Sequence, residues 1–190
     1  MPAAACRAVG EMLARPYHRD EQMTYVEPDA ARRERRAPWF FTAILRYSLG
    51  GGTVLAADGL AGVAILLPPG GTRPSLRRMT AAGLYQMPLR LGPAASRRLG
   101  VFASVSRDLR TLAEPYWYIG GIGVEPARQG EGIGGALMGE LLARVDAESG
   151  VCSLDTANER NVGWYEGLGF RVADRAQVPA GPTIWSMTRS

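Results

Sequence analysis

Residues 128–135, RQGEGIGG, constrain this chain more than any other stretch. Gly130, Gly132 and Gly135 satisfy G-x-G-x-x-G, and Asp155 lies twenty residues beyond the last of them, where a dinucleotide-binding unit would want its ribose acid. The surroundings read as a β-loop-α-β unit. Tyr116 to Val124 is a strand, and Gly132 to Ala147 is an amphipathic helix with Ile133, Leu137, Leu141 and Val145 on one face. Val151 to Asp155 is a second short strand. A dinucleotide fold, however, sets its first glycine directly at the strand end and follows the acid with a second βαβ half. Here five residues separate Val124 from Gly130, and only 35 follow Asp155. The loop suits a phosphate, but not that of a dinucleotide.

The 190 residues, 46% apolar and 21% charged, predict a single domain over 1–190 with a full core. No apolar run reaches the ~18 residues that span a bilayer, and the first twenty residues carry acids where a signal peptide needs an apolar stretch, so a cytoplasmic protein is expected. All 22 basic residues are arginine. Without lysine there is no Walker A loop, no pyridoxal Schiff base and no kinase-type phosphate lysine. Cys6 and Cys152 form no C-x-x-C pair and His18 is the lone histidine, which predicts packed thiols and no metal.

Charge is unevenly placed. Gly71 to Ala113 holds eight arginines against one acid, Asp108, and Glu114 to Ser190 holds ten acids against six arginines. The basic segment reads as a solvated helical face, with binding of nucleic acid kept as the other reading, although no nucleic-acid motif accompanies it.

Upstream, Ala3 to Ala14 predicts a helix, followed by an irregular polar stretch through Pro28. A second helix runs from an Asp29 cap to about Leu49, with a break or kink at Pro38. Thr53 to Ala57 and Ala61 to Leu67 predict a hairpin around Asp58-Gly59. Pro74 to Gln86 and Pro93 to Leu112 read as helices broken by Pro88 and Gly92-Pro93. Asn158 to Leu168 predicts a short helix, and Phe170 to Ala173 and Thr183 to Thr188 the last strands, giving an α/β fold.

Gln129-x-x-Gly132-x-Gly134, between a strand ending Gly-Val-x-Pro and a helix, resembles the Q/R-x-x-G-x-G/A signature of the GNAT superfamily of N-acetyltransferases. Asn158, followed seven residues later by Tyr165 in NERNVGWYEGLGF, resembles the asparagine-then-tyrosine helix that closes the acetyl-CoA site there. From Trp117 to Arg189 the chain also resembles puromycin N-acetyltransferase and its bacterial relatives. The resemblance implies a mixed, partly splayed β-sheet flanked by helices. Relatives usually open with a strand before the first helix; this chain begins almost at that helix, so the first strand is missing or short.

The implied reaction moves an acetyl group from acetyl-CoA to the primary amine of a small molecule, by direct attack through a tetrahedral intermediate. Gly130, Gly132, Ile133, Gly134 and Gly135 would bring backbone N–H groups and a helix dipole to the coenzyme pyrophosphate, with Arg128 and Gln129 beside them. The pantetheine arm would pair with the strand edge at Ile122, Gly123 and Val124. Tyr165 would protonate the leaving sulfur, and Asn158 would hold the pantetheine or its loop. The family's strand glutamate is replaced at this register by Tyr118, which leaves Glu114 through water, Tyr118 ordering that water, or an already neutral amine. A non-catalytic acyl-CoA-binding domain remains the alternative reading, and monomer and homodimer both stay open.

Overall fold

In the computed structural model, which describes residues 2–110, 112 and 115–190, six strands form one mixed sheet in the order β1-β2-β3-β4-β6-β5. β1 (Thr53–Ala56), β2 (Gly62–Leu67) and β3 (Trp117–Val124) form an antiparallel run, β1 with β2 and β2 with β3. β4 (Cys152–Thr156) then lies parallel to β3, because the connection between them crosses over through α7 (Ile133–Ala147). β6 (Thr183–Arg189) pairs antiparallel with both β4 and β5 (Arg171–Gln177).

Helices cover both faces. Leu137, Leu141 and Val145 of α7 pack with Tyr165 of α8 (Glu159–Glu166) over Ala64, Leu66, Ile119 and Leu154. On the opposite face α1 (Ala3–Ala14) and α3 (Ala30–Leu49) bury Val9, Leu13, Phe41 and Leu45 against Val63, Ile65 and Leu67. α1 and α3 approach so closely that a Cβ on Gly10 would lie 2.7 Å from the backbone nitrogen of Thr42 and 2.9 Å from the carbonyl oxygen of Pro38.

The sheet splays in its middle. β3 and β4 share three rungs, Trp117 with Cys152, Tyr118 with Ser153 and Ile119 with Leu154, and β3 runs on to Val124 with no strand on that edge. The cause lies on the other side of β3. Ile65 pairs with Gly121 and Leu66 with Ile119, so Gly120 is an extra residue, a bulge that turns the rest of β3 away from β4.

Several local expectations change. The stretch before Pro28 is not irregular: Pro16–Arg19 forms a 3-10 turn and α2 (Glu21–Val26) follows, its N-terminus capped by Asp20, which accepts from the N–H groups of Gln22 and Met23. Six residues are too few to display a periodic pattern. Pro38 does not end α3, which runs 20 residues through it, because the buried stripe Ala37, Phe40, Phe41 and Leu45 holds the turns together. Pro88 likewise sits inside the first turn of α5 (Met87–Leu91), where no N–H is required. α4 (Leu76–Ala82) and α6 (Pro93–Leu109) complete the helices. β5 extends to Gln177, well past Ala173; it is exposed on both faces and therefore shows no apolar alternation.

Candidate active site

The fork between β3 and β4 organises the site. α7 begins beside its open end, at Gly132, where the loop from Val124 returns. Gly130 and Gly132 hold φ of 86° and 80°, the left-handed region that glycine alone enters freely. Side chains added at Gly130, Gly132 or Gly135 would meet open space. The first intrahelical bond runs from Ala136 N–H to the Gly132 carbonyl, so the N–H groups of Ile133, Gly134 and Gly135 have no partner within the helix. That turn is an anion cradle. Gln129 Nε2 donates to the Val124 carbonyl at 3.2 Å and ties the loop to the strand. Arg128 is paired with Glu131 at 2.6 Å, both half exposed, so its charge is shared rather than free for a phosphate.

Along the open edge of β3, the Tyr17 hydroxyl donates to the Ile122 carbonyl at 2.8 Å and accepts from the Ile122 N–H at 3.2 Å. Gly123 makes this approach possible, since a Cβ there would stand 2.8 Å from Leu13 Cδ2 and 3.1 Å from Pro16 Cγ. The strand edge expected for a pantetheine arm thus carries a phenol at Ile122.

Tyr165 is 6% exposed, tilted against Trp164 and edge-on to Phe170. Burial first, and then the Asp20 carboxylate, push its phenol above the ordinary tyrosine value, so it stays protonated through neutral pH. Tyr17 is raised for the same leading reason and next by Tyr165, which sets the two phenols and Asp20 in one electrostatic environment. Asp20 itself is pushed up to about 6, chiefly by burial. Asn158 caps α8, its Oδ1 accepting from the Arg160 N–H at 3.0 Å, which leaves its amide NH2 as the group that can reach a ligand.

Tyr118 projects from the other side of the fork. Its hydroxyl donates to Asp155 Oδ2 at 3.1 Å, and the same oxygen accepts from Ser106 Oγ at 2.5 Å and Arg110 at 2.7 Å. The Arg110 guanidinium also lies over the Tyr118 ring, 4.9 Å from its centre. Burial, and after it Asp155, raise the Tyr118 phenol above its usual range, so it keeps its proton at neutral pH and donates it in the hydrogen bond to Asp155. Glu114, the residue expected to act as base through water, lies outside the described residues.

The model of the acetyltransferase (GNAT) family matches residues 13–170. The chain belongs to the GNAT family. It is therefore an acetyltransferase, and acetyl-CoA is the acetyl donor of that family. Its fold resembles the structure described as histone acetyltransferase HPA2 and related acetyltransferase from Corynebacterium glutamicum, at 18% identity and a TM-score of 0.67 over 100% of this chain and 92% of that one. It also resembles an agmatine N-acetyltransferase, at 15% identity and a TM-score of 0.60 over 99% and 95% of the two chains. A polyamine N-acetyltransferase of Drosophila melanogaster gives 15% identity and a TM-score of 0.60 over 99% and 96%. At these identities the likeness is one of fold.

Within this GNAT chain, sequence reasoning missed Tyr17 and Asp20, and it met Asp155 only as a ribose acid to be dismissed. Nothing in the sequence near Tyr17 marks it; its partner is 105 residues away. The arginines of residues 71–113 are in part structural. Arg78 donates to the carbonyls of Gly71 and Arg73, Arg98 to that of Val26, and Arg110 pairs with Asp155. A surface groove of about 690 Å³ between Tyr25, Arg97, Arg98 and Pro179–Pro182 shares no residue with the fork. No helix among the described residues is long and apolar enough to cross a membrane.

Proposed function

We propose that this chain is an N-acetyltransferase that moves the acetyl group of acetyl-CoA to the primary amine of a small molecule. The observation that carries the reading is the fork itself: an open β3 edge leads from a glycine-rich helix start to a buried, protonated tyrosine. Gly130, Gly132 and the N–H groups of Ile133, Gly134 and Gly135 bind the pyrophosphate, with Gln129 holding the loop in place and Arg128 exchanging Glu131 for phosphate. From Val124 back to Gly120 the free edge is five residues, about 16 Å at ~3.3 Å per residue, room for an extended amide-bearing arm that ends at the top of the fork. Val124 offers its N–H on that edge, its carbonyl being held by Gln129, and Ile122 offers both groups where Tyr17 yields; the N–H and C=O of Gly123 face β2.

The amine attacks the thioester carbonyl directly and forms a tetrahedral oxyanion, for which the bulged backbone beside Gly120 is the nearest source of N–H donors. The C–S bond then breaks, and Tyr165 supplies the proton that the sulfur takes. The amine class of the acceptor is supported by the fold likeness to the agmatine and polyamine N-acetyltransferases and by the resemblance of the C-terminal half to puromycin N-acetyltransferase. Incubation with acetyl-CoA and a panel of agmatine, spermidine, tyramine and puromycin, with release of CoA thiol as the readout, tests the reading. Turnover of one or more amines is expected. Binding of CoA with no turnover would instead favour a non-catalytic acyl-CoA-binding domain.

A further inference from the structure

Asp155 stands one residue beyond Leu154, the last residue of β4 to pair with β3, and so lies at the apex of the fork. Its side chain is 5% exposed. The two carboxylate oxygens are used very unequally: Oδ2 accepts from Ser106, Arg110 and Tyr118, and Oδ1 is buried with no hydrogen bond among the described residues. Ser153 Oγ, two residues back on the same face of β4, is likewise buried and, among the described residues, without a hydrogen-bond partner. Folded proteins seldom leave such atoms unsatisfied, because desolvation of a charged acceptor is recovered only by a donor. α6, β3 and β4 all contribute to holding Oδ2, and that hold fixes the position of Oδ1.

We propose that Asp155 is the acceptor-side catalytic residue, its Oδ1 receiving an N–H of the amino group that attacks the thioester. This rests on the acetyltransferase reading given above. The chemistry selects a nitrogen nucleophile that arrives uncharged, since Arg110 already neutralises the carboxylate and a second buried cation would be unpaired. As the C–N bond forms, the nitrogen becomes cationic and sheds a proton, which passes to Oδ1. The C–S bond breaks and the sulfur takes the proton of Tyr165. Exchange with solvent returns a proton to Tyr165 and removes one from Asp155. Tyr118, which occupies the register of the family's glutamate, acts here as a positioning residue that aims the Asp155 carboxylate.

The test compares Asp155→Asn, Tyr118→Phe and the wild type with the best amine of the four-amine panel, with CoA affinity by calorimetry as the control for folding. Asp155→Asn is expected to lower kcat/KM roughly 10²-fold, the low end for a lost general base, with CoA affinity unchanged. Tyr118→Phe keeps the ring beneath Arg110 and should lower kcat/KM about tenfold, mainly through the KM of the amine. Wild-type kcat/KM in Asp155→Asn overturns the proposal and leaves the acetyltransferase reading intact. If Asp155→Asn does not fold, Tyr118→Phe decides: unchanged amine kinetics overturn the proposal. Failure of the wild type to turn over any amine while it binds CoA overturns the acetyltransferase reading and this proposal together.

Discussion

The Tyr17 hydroxyl is hydrogen-bonded to both the carbonyl and the N–H of Ile122, the position of a neighbouring strand on an edge that has none. An arm pairing at Ile122 has to displace it. Tyr17→Phe removes the competing hydroxyl and keeps the ring against Phe41. With a net worth of about 1 kcal/mol for such a bond, CoA should bind roughly five-fold more tightly to the variant by calorimetry, while the free protein melts slightly lower. Weaker binding would show that Tyr17 is a ligand of the coenzyme and not its competitor.

Gly132 begins α7 at φ 80°, with open space where a side chain would start. Gly132→Ala should therefore cost only the left-handed backbone strain, about 1–2 kcal/mol, seen as a lower melting temperature. Gly132→Glu adds a carboxylate facing the phosphates and should abolish the rise in melting temperature that CoA gives the wild type. NAD and ATP should give no such rise. Stabilisation by NAD equal to that by CoA would refute the pyrophosphate assignment.

Tyr165→Phe keeps the packing against Trp164 and Phe170 and deletes the hydroxyl. If that hydroxyl protonates the sulfur, kcat should fall roughly 10²-fold with CoA affinity little changed. Near wild-type kcat, with chemistry shown to limit turnover, would leave Tyr165 as packing alone.

Much of this site was legible in sequence because its signals are local. Gln129, Gly132 and Gly134 announce the turn within six residues, and Asn158 caps the short helix that carries Tyr165. The bulge at Gly120 falls in a strand with three glycines, Gly120, Gly121 and Gly123. What could not be read are pairings made by the packing of distant elements: Tyr17 with Ile122, and Ser106 and Arg110 with Asp155, 49 and 45 residues apart. Asp155 was visible only as an acid at a suggestive spacing. Its environment depends on how α6 crosses β4, and no local pattern encodes that crossing.

Asp20 gives a pH dependence whose sign can be worked out. Its carboxyl is raised from 3.8 to about 6, chiefly by burial and next by Glu21. The folded state thus binds this proton more tightly than the unfolded chain, and the stabilisation is full below about 4 and lost as pH rises through about 6. Asp20→Asn retains a side-chain oxygen to cap α2 and removes the buried charge. Between pH 4 and 8 the melting temperature of the variant should gain on the wild type as pH rises and exceed it at pH 7 and above. Parallel curves for the two proteins would show that Asp20 is not perturbed.

The contact of α1 with α3 at Gly10 bears on how this enzyme can vary. Any side chain there would strike the backbone of Thr42 and the carbonyl of Pro38, and the helix that would be pushed aside leads directly to Arg15 and Tyr17, which grip Glu125 just past β3 and Ile122 on it. A saturation library should therefore find Gly10 among the least permissive positions, although it touches no ligand. Variation at Gly10 would thus be confined by the distance between two helices and not by any ligand.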